Sequence, residues 1–180
     1  MLYSELQCSE AIRQAVERMG FAEMTEIQEK TIPVMLAGHD VIAKAPTGTG
    51  KTCAFGIPVA EHIQPENKYP QAVIMAPTRE LAQQIAEELT NLTYFMPEVQ
   101  VACVYGGANM EKQAKRLAEG CQIVVATPGR LMDHYKHHNI DLSHVTQIVL
   151  DEADEMLNMG FYKDVRHIIE MMKARKALSM

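Results

Sequence analysis

Short apolar runs alternate with helical patterns along this chain, and that alternation constrains the fold more than any other feature. Five runs rich in β-branched residues lie at 40 to 45, 71 to 76, 99 to 105, 122 to 127 and 147 to 151. Each is apolar on both faces, as expected for strands that are covered on both sides of a parallel sheet. The pattern predicts an α/β fold with an open, mostly parallel sheet, helices on both faces and ligands at the carboxyl ends of the strands.

Amphipathic helices are predicted between these strands. Residues 79 to 92 and 161 to 172 carry apolar side chains at helical spacing. Near the start, Ser9 is placed to cap a helix that Gly20 ends. The last residues, 176 to 180, have the pattern of a further strand at its beginning. A chain of 180 residues suits one domain.

The stretch APTGTGKT, which begins at Ala45, nearly matches the phosphate-binding loop of nucleotide hydrolases, but alanine stands in place of the first glycine. In such a loop the backbone N–H groups around Gly48 and Gly50 face phosphate oxygens. Lys51 reaches the outer phosphates, and Thr52 ligates Mg²⁺. The alternative is a glycine-rich turn with an unrelated lysine.

A second motif, QIVLDEAD, is a buried strand that ends in a carboxylate. Asp151 is placed to hold Mg²⁺ beside the phosphate loop. Glu152, one residue on, is placed to orient or deprotonate an attacking water. The alternative is that the acidic residues form only the solvated first turn of a helix. Together the two motifs predict a site for ATP and Mg²⁺.

With both motifs the chain resembles the first RecA-like domain of a DEAD-box ATP-dependent RNA helicase, over nearly all of its 180 residues. The family's motifs appear in the family's order: APTGTGKT, PTRELA, the pair of glycines that ends at Gly107, TPGR and DEAD. In this family alanine or serine commonly fills the first loop position, which accounts for Ala45.

The resemblance implies one RecA-like P-loop domain over residues 1–180, with a Q-motif region at 1–38 and a P-loop core at 39–180. It also implies that the phosphate loop contacts the nucleotide through a continuous set of residues. These are Thr47, Gly48, Thr49, Gly50, Lys51 and Thr52.

Upstream, GFAEMTEIQ resembles the Q motif of the family, which implies that Gln28 reads the adenine edge and that Tyr3 stacks on the base. The family usually has phenylalanine in place of Tyr3 and proline in place of Met24. Tyrosine keeps an aromatic face for stacking, whereas Met24 loosens the turn before the helix. Gln28 has a second interpretation, since Thr25 and Gln28 also form a capping-box pattern that serves only the start of a helix.

By the same resemblance, Arg79, Gly107, Thr127 and Arg130 face the sugar–phosphate backbone of RNA. Contacts of this kind bind without sequence preference and with an affinity that depends on salt. A second basic group lies on one helical face within residues 112 to 116, and for it we prefer a solvated surface over an RNA contact.

The resemblance also implies a second, carboxy-terminal RecA-like domain as a partner. Neither that domain nor the family's Ser-Ala-Thr motif is found in this sequence. That domain supplies arginines to the ATP site, and such an arginine is worth about 10³ to 10⁵ in rate. We therefore expect this chain to be a monomer that binds ADP or ATP and hydrolyses ATP barely. In the intact enzyme, ATP and RNA would close the two domains and separate short duplexes.

Composition and residue spacing limit the binding partners, the cellular location and the metal sites that we expect. The net charge of −6 gives no global signature of nucleic-acid binding, so any such binding needs a local basic face. No apolar run approaches the roughly 20 residues that span a bilayer. The four cysteines form no C-x-x-C pair, and we expect reduced thiols in a cytoplasmic protein. The histidines at 134, 137 and 138 lack partners at ligand spacing, which favours a solvated helix end over a metal site.

Three other functions are open at this point. A DNA-directed helicase or another RecA-like ATPase shares the core motifs, although DEAD together with Gln28 argues against it. A GTPase is disfavoured because the sequence has no Asn-Lys-x-Asp string. An ATP-gated clamp on RNA or protein that never unwinds a duplex would share every motif, and the sequence does not distinguish it from a helicase.

Overall fold

The computed structural model describes residues 1–46, 50–172 and 177–179, the last three by their backbone alone. Over this part of the chain, five parallel strands form one sheet in the order β2-β3-β1-β4-β5. The strands are β1 (Ala72–Met75), β2 (Val101–Val104), β3 (Ile123–Ala126), β4 (Gln147–Leu150) and β5 (Ala177–Ser179). The helices are α1 (Glu10–Arg18), α2 (Glu26–Leu36), α3 (Lys51–Glu61), α4 (Arg79–Leu92), α5 (Met110–Ala118), α6 (Pro128–Lys136), α7 (Ala153–Asn158) and α8 (Tyr162–Met171), and a 3₁₀ turn covers Tyr3–Glu5.

Side chains alternate between the two faces of the sheet along each strand, and both faces are buried. In β1, Ala72 and Ile74 belong to one core cluster, and Val73 and Met75 belong to the other. Helices α1 to α4 contribute to the first cluster and α5 to α8 to the second. The predicted fold class, a parallel sheet between two layers of helices, is confirmed.

Most of the predicted elements are present close to their expected bounds. Strands β1 to β4 lie within the four apolar runs after residue 70, and β5 lies within the predicted terminal strand. Helix α4 spans the predicted residues and begins where the Thr78 side chain accepts a hydrogen bond from the Leu81 N–H at 3.2 Å. Ser9 caps α1, and Gly20 follows its end in the left-handed region at φ 83°.

The predicted strand at residues 40 to 45 is wrong. Val41 makes a single bridge, and the residues from 42 to 46 have no regular structure. The side chain of Ile42 is 80% exposed, although it lies in the middle of the apolar run. A backbone segment becomes a strand only where a neighbouring strand takes its hydrogen bonds, and among the described residues this segment has no such ladder.

All five strands are parallel, so their carboxyl ends meet at one edge of the sheet. Backbone hydrogen bonds continue across this edge, from Asp151 N–H to the Met75 carbonyl at 3.0 Å and from Thr127 N–H to the Val104 carbonyl at 3.1 Å. Segments that are far apart in the chain are thereby fixed side by side. This edge carries the predicted functional residues that follow β1 to β4.

Candidate functional site

Lys51 and Asp151 come together at the carboxyl edge of the sheet. Lys51 is the first residue of α3, and Asp151 directly follows β4. The Lys51 Nζ lies 4.0 Å from the Asp151 Oδ1, and the aspartate is buried while the lysine is partly exposed. Burial raises the pKa of the Asp151 carboxyl, and the charge of Lys51 lowers it by a smaller amount. The predicted phosphate-binding lysine and the predicted carboxylate therefore face each other.

Glu152 adopts a strained backbone conformation beside this pair. Its φ and ψ are both 52°, in the left-handed region, and it stands at the N-terminus of α7. For a residue other than glycine that conformation costs about 1–2 kcal/mol. Strain of this kind persists where the surrounding structure holds it, and it concentrates at functional sites. The side chain is partly exposed, as a residue that contacts a water needs to be.

The oxygen atoms at this edge suit a hard divalent cation. Asp151 offers a carboxylate, and Thr52 offers a hydroxyl one residue after Lys51. Mg²⁺ prefers oxygen ligands and takes one or two from protein while substrate phosphates supply others. A cation near Asp151 would also favour its charged form, which burial disfavours. The donor set thus fits the predicted metal.

A large open cavity borders the Lys51–Asp151 pair. It has a volume of about 660 Å³ and is lined by the irregular segment from Val41 to Pro46, by α2 and α3, and by the end of β4 with the acidic residues that follow. Gln28 and Tyr3, the predicted adenine contacts, are not among its lining residues. The cavity is therefore adjacent to the predicted phosphate contacts rather than to the predicted base contacts.

Three of the predicted nucleotide contacts, Thr47, Gly48 and Thr49, lie outside the described residues. Their neighbour Gly50 is described and has φ 82°, and it caps α3. The first N–H groups of a helix have no partner within it, so the N-terminus of α3 is a place where an anion such as phosphate can be stabilised.

Gln28 is buried, and both the oxygen and the nitrogen of its side-chain amide make hydrogen bonds. Its Oε1 accepts hydrogen bonds from the Tyr3 hydroxyl and from the Thr25 N–H, the latter at 3.0 Å. Its Nε2 donates to the Gly50 carbonyl at 3.1 Å. The capping interpretation of Gln28 is confirmed by the Thr25 contact. The contact with Gly50 connects the same side chain to the phosphate loop, and the reading of adenine by Gln28 stays a prediction.

Tyr3 lies beside Gln28 but presents no open face in this structure. Its side chain is 5% exposed, and its ring stacks on Phe21 with centroids 6.5 Å apart. The predicted stacking of Tyr3 on a base stays a prediction, since it requires this ring to be uncovered. Phe21 itself is exposed.

Of the four predicted RNA contacts, two are exposed, one is buried and one is partly buried. Arg79 is exposed, and its guanidinium lies 4.8 Å from the centroid of the Tyr105 ring. Gly107 is exposed at φ 83°. Thr127 is buried, and its hydroxyl accepts from the Gly106 N–H at 3.3 Å. Arg130 is directed inward: its Nη1 donates to the Ala108 carbonyl at 2.9 Å. Arg79 and Gly107 are accessible to a strand of nucleic acid, and Thr127 and Arg130 hold the loop that carries Gly107.

Gln113 is a site residue that the sequence reasoning missed. It is buried on α5, and its Oε1 lies 3.1 Å from Arg130 Nη1 and 2.9 Å from His134 Nε2, while its Nε2 donates to the Tyr105 carbonyl at 3.0 Å. It therefore joins α5, α6 and the glycine loop. The signal in the sequence was a polar residue four positions before Leu117, on the buried side of an otherwise charged helix.

The prediction of a solvated helix end at residues 134 to 138 is wrong for its first histidine. His134 is fully buried and accepts at Nδ1 from the Asn139 amide, 3.1 Å away. Burial lowers the pKa of His134, and the nearby charge of Arg130 lowers it further. Within the described part of the chain, no group of three or more histidine, cysteine or acidic side chains is arranged to hold a metal ion.

The basic group on α5 is mainly a solvated surface. Lys112 and Lys115 are exposed, whereas Arg116 donates to the Gly120 carbonyl at 3.2 Å and so closes the end of its own helix. All four cysteines are free thiols. Among the described residues no helix is long and apolar enough to cross a membrane.

Comparison with known proteins gives a consistent assignment. Residues 25–180 match the DEAD/DEAH box helicase family. The ATP-dependent RNA helicase CshA of Limosilactobacillus reuteri is 52% identical over 170 residues, which are 94% of this chain and 34% of that protein. The ATP-dependent RNA helicase DeaD of Escherichia coli is 46% identical over 167 residues, which are 93% of this chain and 27% of that protein.

Solved structures agree with the fold. A DEAD box protein from the hyperthermophile Methanococcus jannaschii superposes with a TM-score of 0.91 at 40% identity, covering 99% of this chain and 49% of that one. A hypothetical ATP-dependent RNA helicase from Sulfolobus tokodaii gives a TM-score of 0.86 at 41% identity. The chain thus spans about a third of the length of the curated relatives and half that of the solved structures.

Proposed function

Because this chain belongs to the DEAD/DEAH box helicase family, we propose that it is the ATP-binding domain of an RNA-stimulated ATPase that unwinds short RNA duplexes. The observation that carries the proposal is the pairing of Lys51 with Asp151, 4.0 Å apart at the sheet edge where Arg79 and Gly107 are exposed. Nucleotide chemistry and an RNA-facing surface would then share one edge of one sheet, so that each could influence the other.

Each residue has a role in this proposal. Lys51 neutralises the outer phosphates of ATP, and the N–H groups at the start of α3 hold their oxygens. Thr52 and Asp151 would hold Mg²⁺, which would offset negative charge on the phosphates. Glu152 orients the attacking water and accepts its proton. Gln28 reads the adenine edge through its amide.

The RNA contact is proposed to involve only the sugar–phosphate backbone. Arg79 supplies positive charge, and the Gly107 loop allows a strand to approach the backbone closely. Thr127 and Arg130 contribute by holding that loop, and by direct contact if closure on RNA releases them. Binding of this kind is indifferent to sequence and weakens with salt.

A second RecA-like domain and a cytoplasmic location are part of the proposal. Such a domain, as a partner in the parent protein, would supply the arginines that complete phosphoryl transfer. The 180-residue chain, as a monomer, should accordingly bind ADP or ATP with little turnover.

The test measures ATP turnover by the parent protein with RNA, with DNA and with neither, and uses the 180-residue chain as a control. We expect stimulation by RNA alone, loss of that turnover in Lys51→Ala and Glu152→Gln, and a silent short chain. Stimulation by DNA but not RNA would overturn the RNA assignment. Turnover near one per second by the short chain, abolished in Lys51→Ala, would overturn the expected dependence on a second domain.

A strand-displacement assay on the parent separates unwinding from clamping. Release of a short labelled strand in the presence of ATP supports a helicase. Stable ATP-dependent retention of RNA without release would identify an RNA clamp instead.

A further inference from the structure

We propose that the Tyr3 hydroxyl is a latch on Gln28, which adenine must displace before the amide can read it. The proposal rests on the proposed function, because it assumes that Gln28 reads adenine. It deepens that function by assigning the Tyr3 hydroxyl as a group that acts through Gln28 to lower the affinity for the base.

The latch is defined by the contacts of one buried amide. Gln28 is 3% exposed, and its Oε1 accepts from both the Tyr3 hydroxyl and the Thr25 N–H. A carbonyl oxygen has two lone pairs, so these two donors saturate it. The Nε2 uses one proton on the Gly50 carbonyl, and within the described part of the chain its second proton has no acceptor. The amide nitrogen is therefore available for a further partner, and the oxygen is not.

To be read by Gln28, adenine needs the Oε1 atom to which the Tyr3 hydroxyl donates. A glutamine reads adenine with two hydrogen bonds, accepting from the N6 amine through its oxygen and donating to N7 through its nitrogen. Of the two donors on Gln28 Oε1, the Thr25 N–H is fixed by the chain at the start of α2, whereas a phenolic hydroxyl can turn away. Binding of adenine should thus break the contact with Tyr3 and keep the contact with Thr25.

The hydroxyl is not required to orient the amide. The Thr25 N–H and the Gly50 carbonyl already distinguish the oxygen of Gln28 from its nitrogen. Burial raises the pKa of the Tyr3 phenol, so it stays protonated and remains a donor. The hydroxyl therefore competes with the base for Gln28 without contributing to its alignment.

The segment that carries Tyr3 is held by the backbone of residues 22 to 24. Tyr3 N–H donates to the Ala22 carbonyl at 3.0 Å, and Leu2 bridges Glu23. The Met24 N–H donates to the Met1 carbonyl at 2.9 Å, a bond that proline could not make. Met24 and Tyr3, the two departures from the usual Q motif, therefore act on the same segment, one as an anchor and the other as the latch.

The test compares nucleotide binding by the 180-residue chain and its Tyr3→Phe variant in calorimetric titrations with ADP, inosine diphosphate and inorganic triphosphate. Phenylalanine keeps the ring and its packing on Phe21 and removes only the hydroxyl. We expect ADP to bind about three- to tenfold more tightly to Tyr3→Phe, the equivalent of one net hydrogen bond. Affinity for inosine diphosphate, which has a carbonyl in place of the N6 amine, and for triphosphate should change less than about twofold, since neither donates to Gln28.

The matched control is Tyr162→Phe, which removes an exposed hydroxyl on α8 and should leave all three affinities unchanged. Unaltered or weaker ADP binding by Tyr3→Phe, with wild type still preferring ADP to inosine diphosphate, would overturn the latch and leave the reading of adenine intact. Equal affinity of wild type for ADP and inosine diphosphate would remove the role of Gln28 and the latch with it. No binding of ADP at all would overturn the proposed function. Thermal unfolding of each variant verifies that it is folded.

Discussion

At the scale of single residues, two features of position 50 favour glycine: a left-handed backbone and too little space for a Cβ. Its φ of 82° lies in the left-handed region, and a Cβ at this position would lie 2.4 Å from Gln28 Nε2. Gly20 shares the first requirement, with φ 83°, but a Cβ there would meet nothing within 4 Å. The two glycines therefore separate the cost of backbone conformation from the cost of contact with Gln28.

We predict that Gly20→Ala lowers the free energy of unfolding by about 1 kcal/mol, because alanine disfavours the left-handed region. Gly50→Ala should cost about 1–3 kcal/mol more, because the new methyl group forces Gln28 out of its place. Urea unfolding measures both. In a Gln28→Ala background the two losses should become similar, and equal losses in the native background would contradict the proposed contact.

Asp151 is predicted to lower stability at neutral pH. Burial raises the pKa of its carboxyl in the folded state. An acid with a higher pKa when folded binds its proton more tightly in that state, so stability falls as the pH rises through and above the unfolded pKa of about 3.9. Asp151→Asn should raise the melting temperature at pH 7, because the amide has no charge to bury. The gain should disappear below about pH 4.

The control for this prediction has the opposite sign. Hydrogen bonds from Ser143 lower the pKa of the exposed Asp141, so Asp141→Asn should lower the melting temperature at pH 7 and have no effect at low pH. Melting curves from pH 3 to 8 test both variants. A lower melting temperature for Asp151→Asn at pH 7 would show that its pairing with Lys51 outweighs its burial.

At the scale of secondary-structure elements, buried glutamines hold the amino ends of three strands. Gln71 precedes β1, Gln122 precedes β3 and Gln147 begins β4. Gln122 is fully buried: its Oε1 accepts from the Gln100 N–H at 2.8 Å, and its Nε2 donates to the Pro65 and Glu98 carbonyls, both at 3.0 Å. One side chain thus satisfies three backbone groups from two loops.

We predict that Gln122→Leu lowers the free energy of unfolding by about 2–4 kcal/mol, because it leaves buried backbone groups without a partner. Gln14→Leu is a suitable control, since Gln14 is exposed on α1, and it should change stability by less than about 0.5 kcal/mol. Denaturant unfolding of both variants measures the difference. A similar loss in the two variants would show that the loops find other partners.

At the scale of the whole molecule, the parallel sheet brings the predicted nucleotide contacts and the predicted RNA contacts to one edge. Arg79 begins α4 after β1, and Asp151 follows β4, the neighbour of β1 in the sheet. A strand of RNA over Arg79 and Gly107 would therefore lie close to the proposed ATP site. This adjacency gives a physical route for coupling between the two ligands.

Arg79→Ala should weaken binding of single-stranded RNA to the parent protein about tenfold, similarly for every sequence, as expected for loss of one charged phosphate contact. The slope of log affinity against log salt should fall in magnitude by about 0.7. Arg166→Ala on α8, where the arginine pairs with Glu170, serves as the control and should change neither. Fluorescence anisotropy at several salt concentrations gives both quantities, and a loss confined to one RNA sequence would contradict a backbone contact.

The sequence by itself determined which residues are proposed to carry the chemistry and that the sheet is buried on both faces. Both are local properties: Lys51 and Asp151 follow from short motifs, and β1 to β4 follow from apolar runs. Tertiary structure decided which runs pair, so that residues 40 to 45 resemble a strand and yet form none. It also decided how polar side chains are used, because Tyr3 is a partner of Gln28 from 25 residues away in the chain, and Gln113 is a partner of His134 from 21 residues away. Pairing and hydrogen-bond satisfaction depend on such distant neighbours, which a local pattern does not contain.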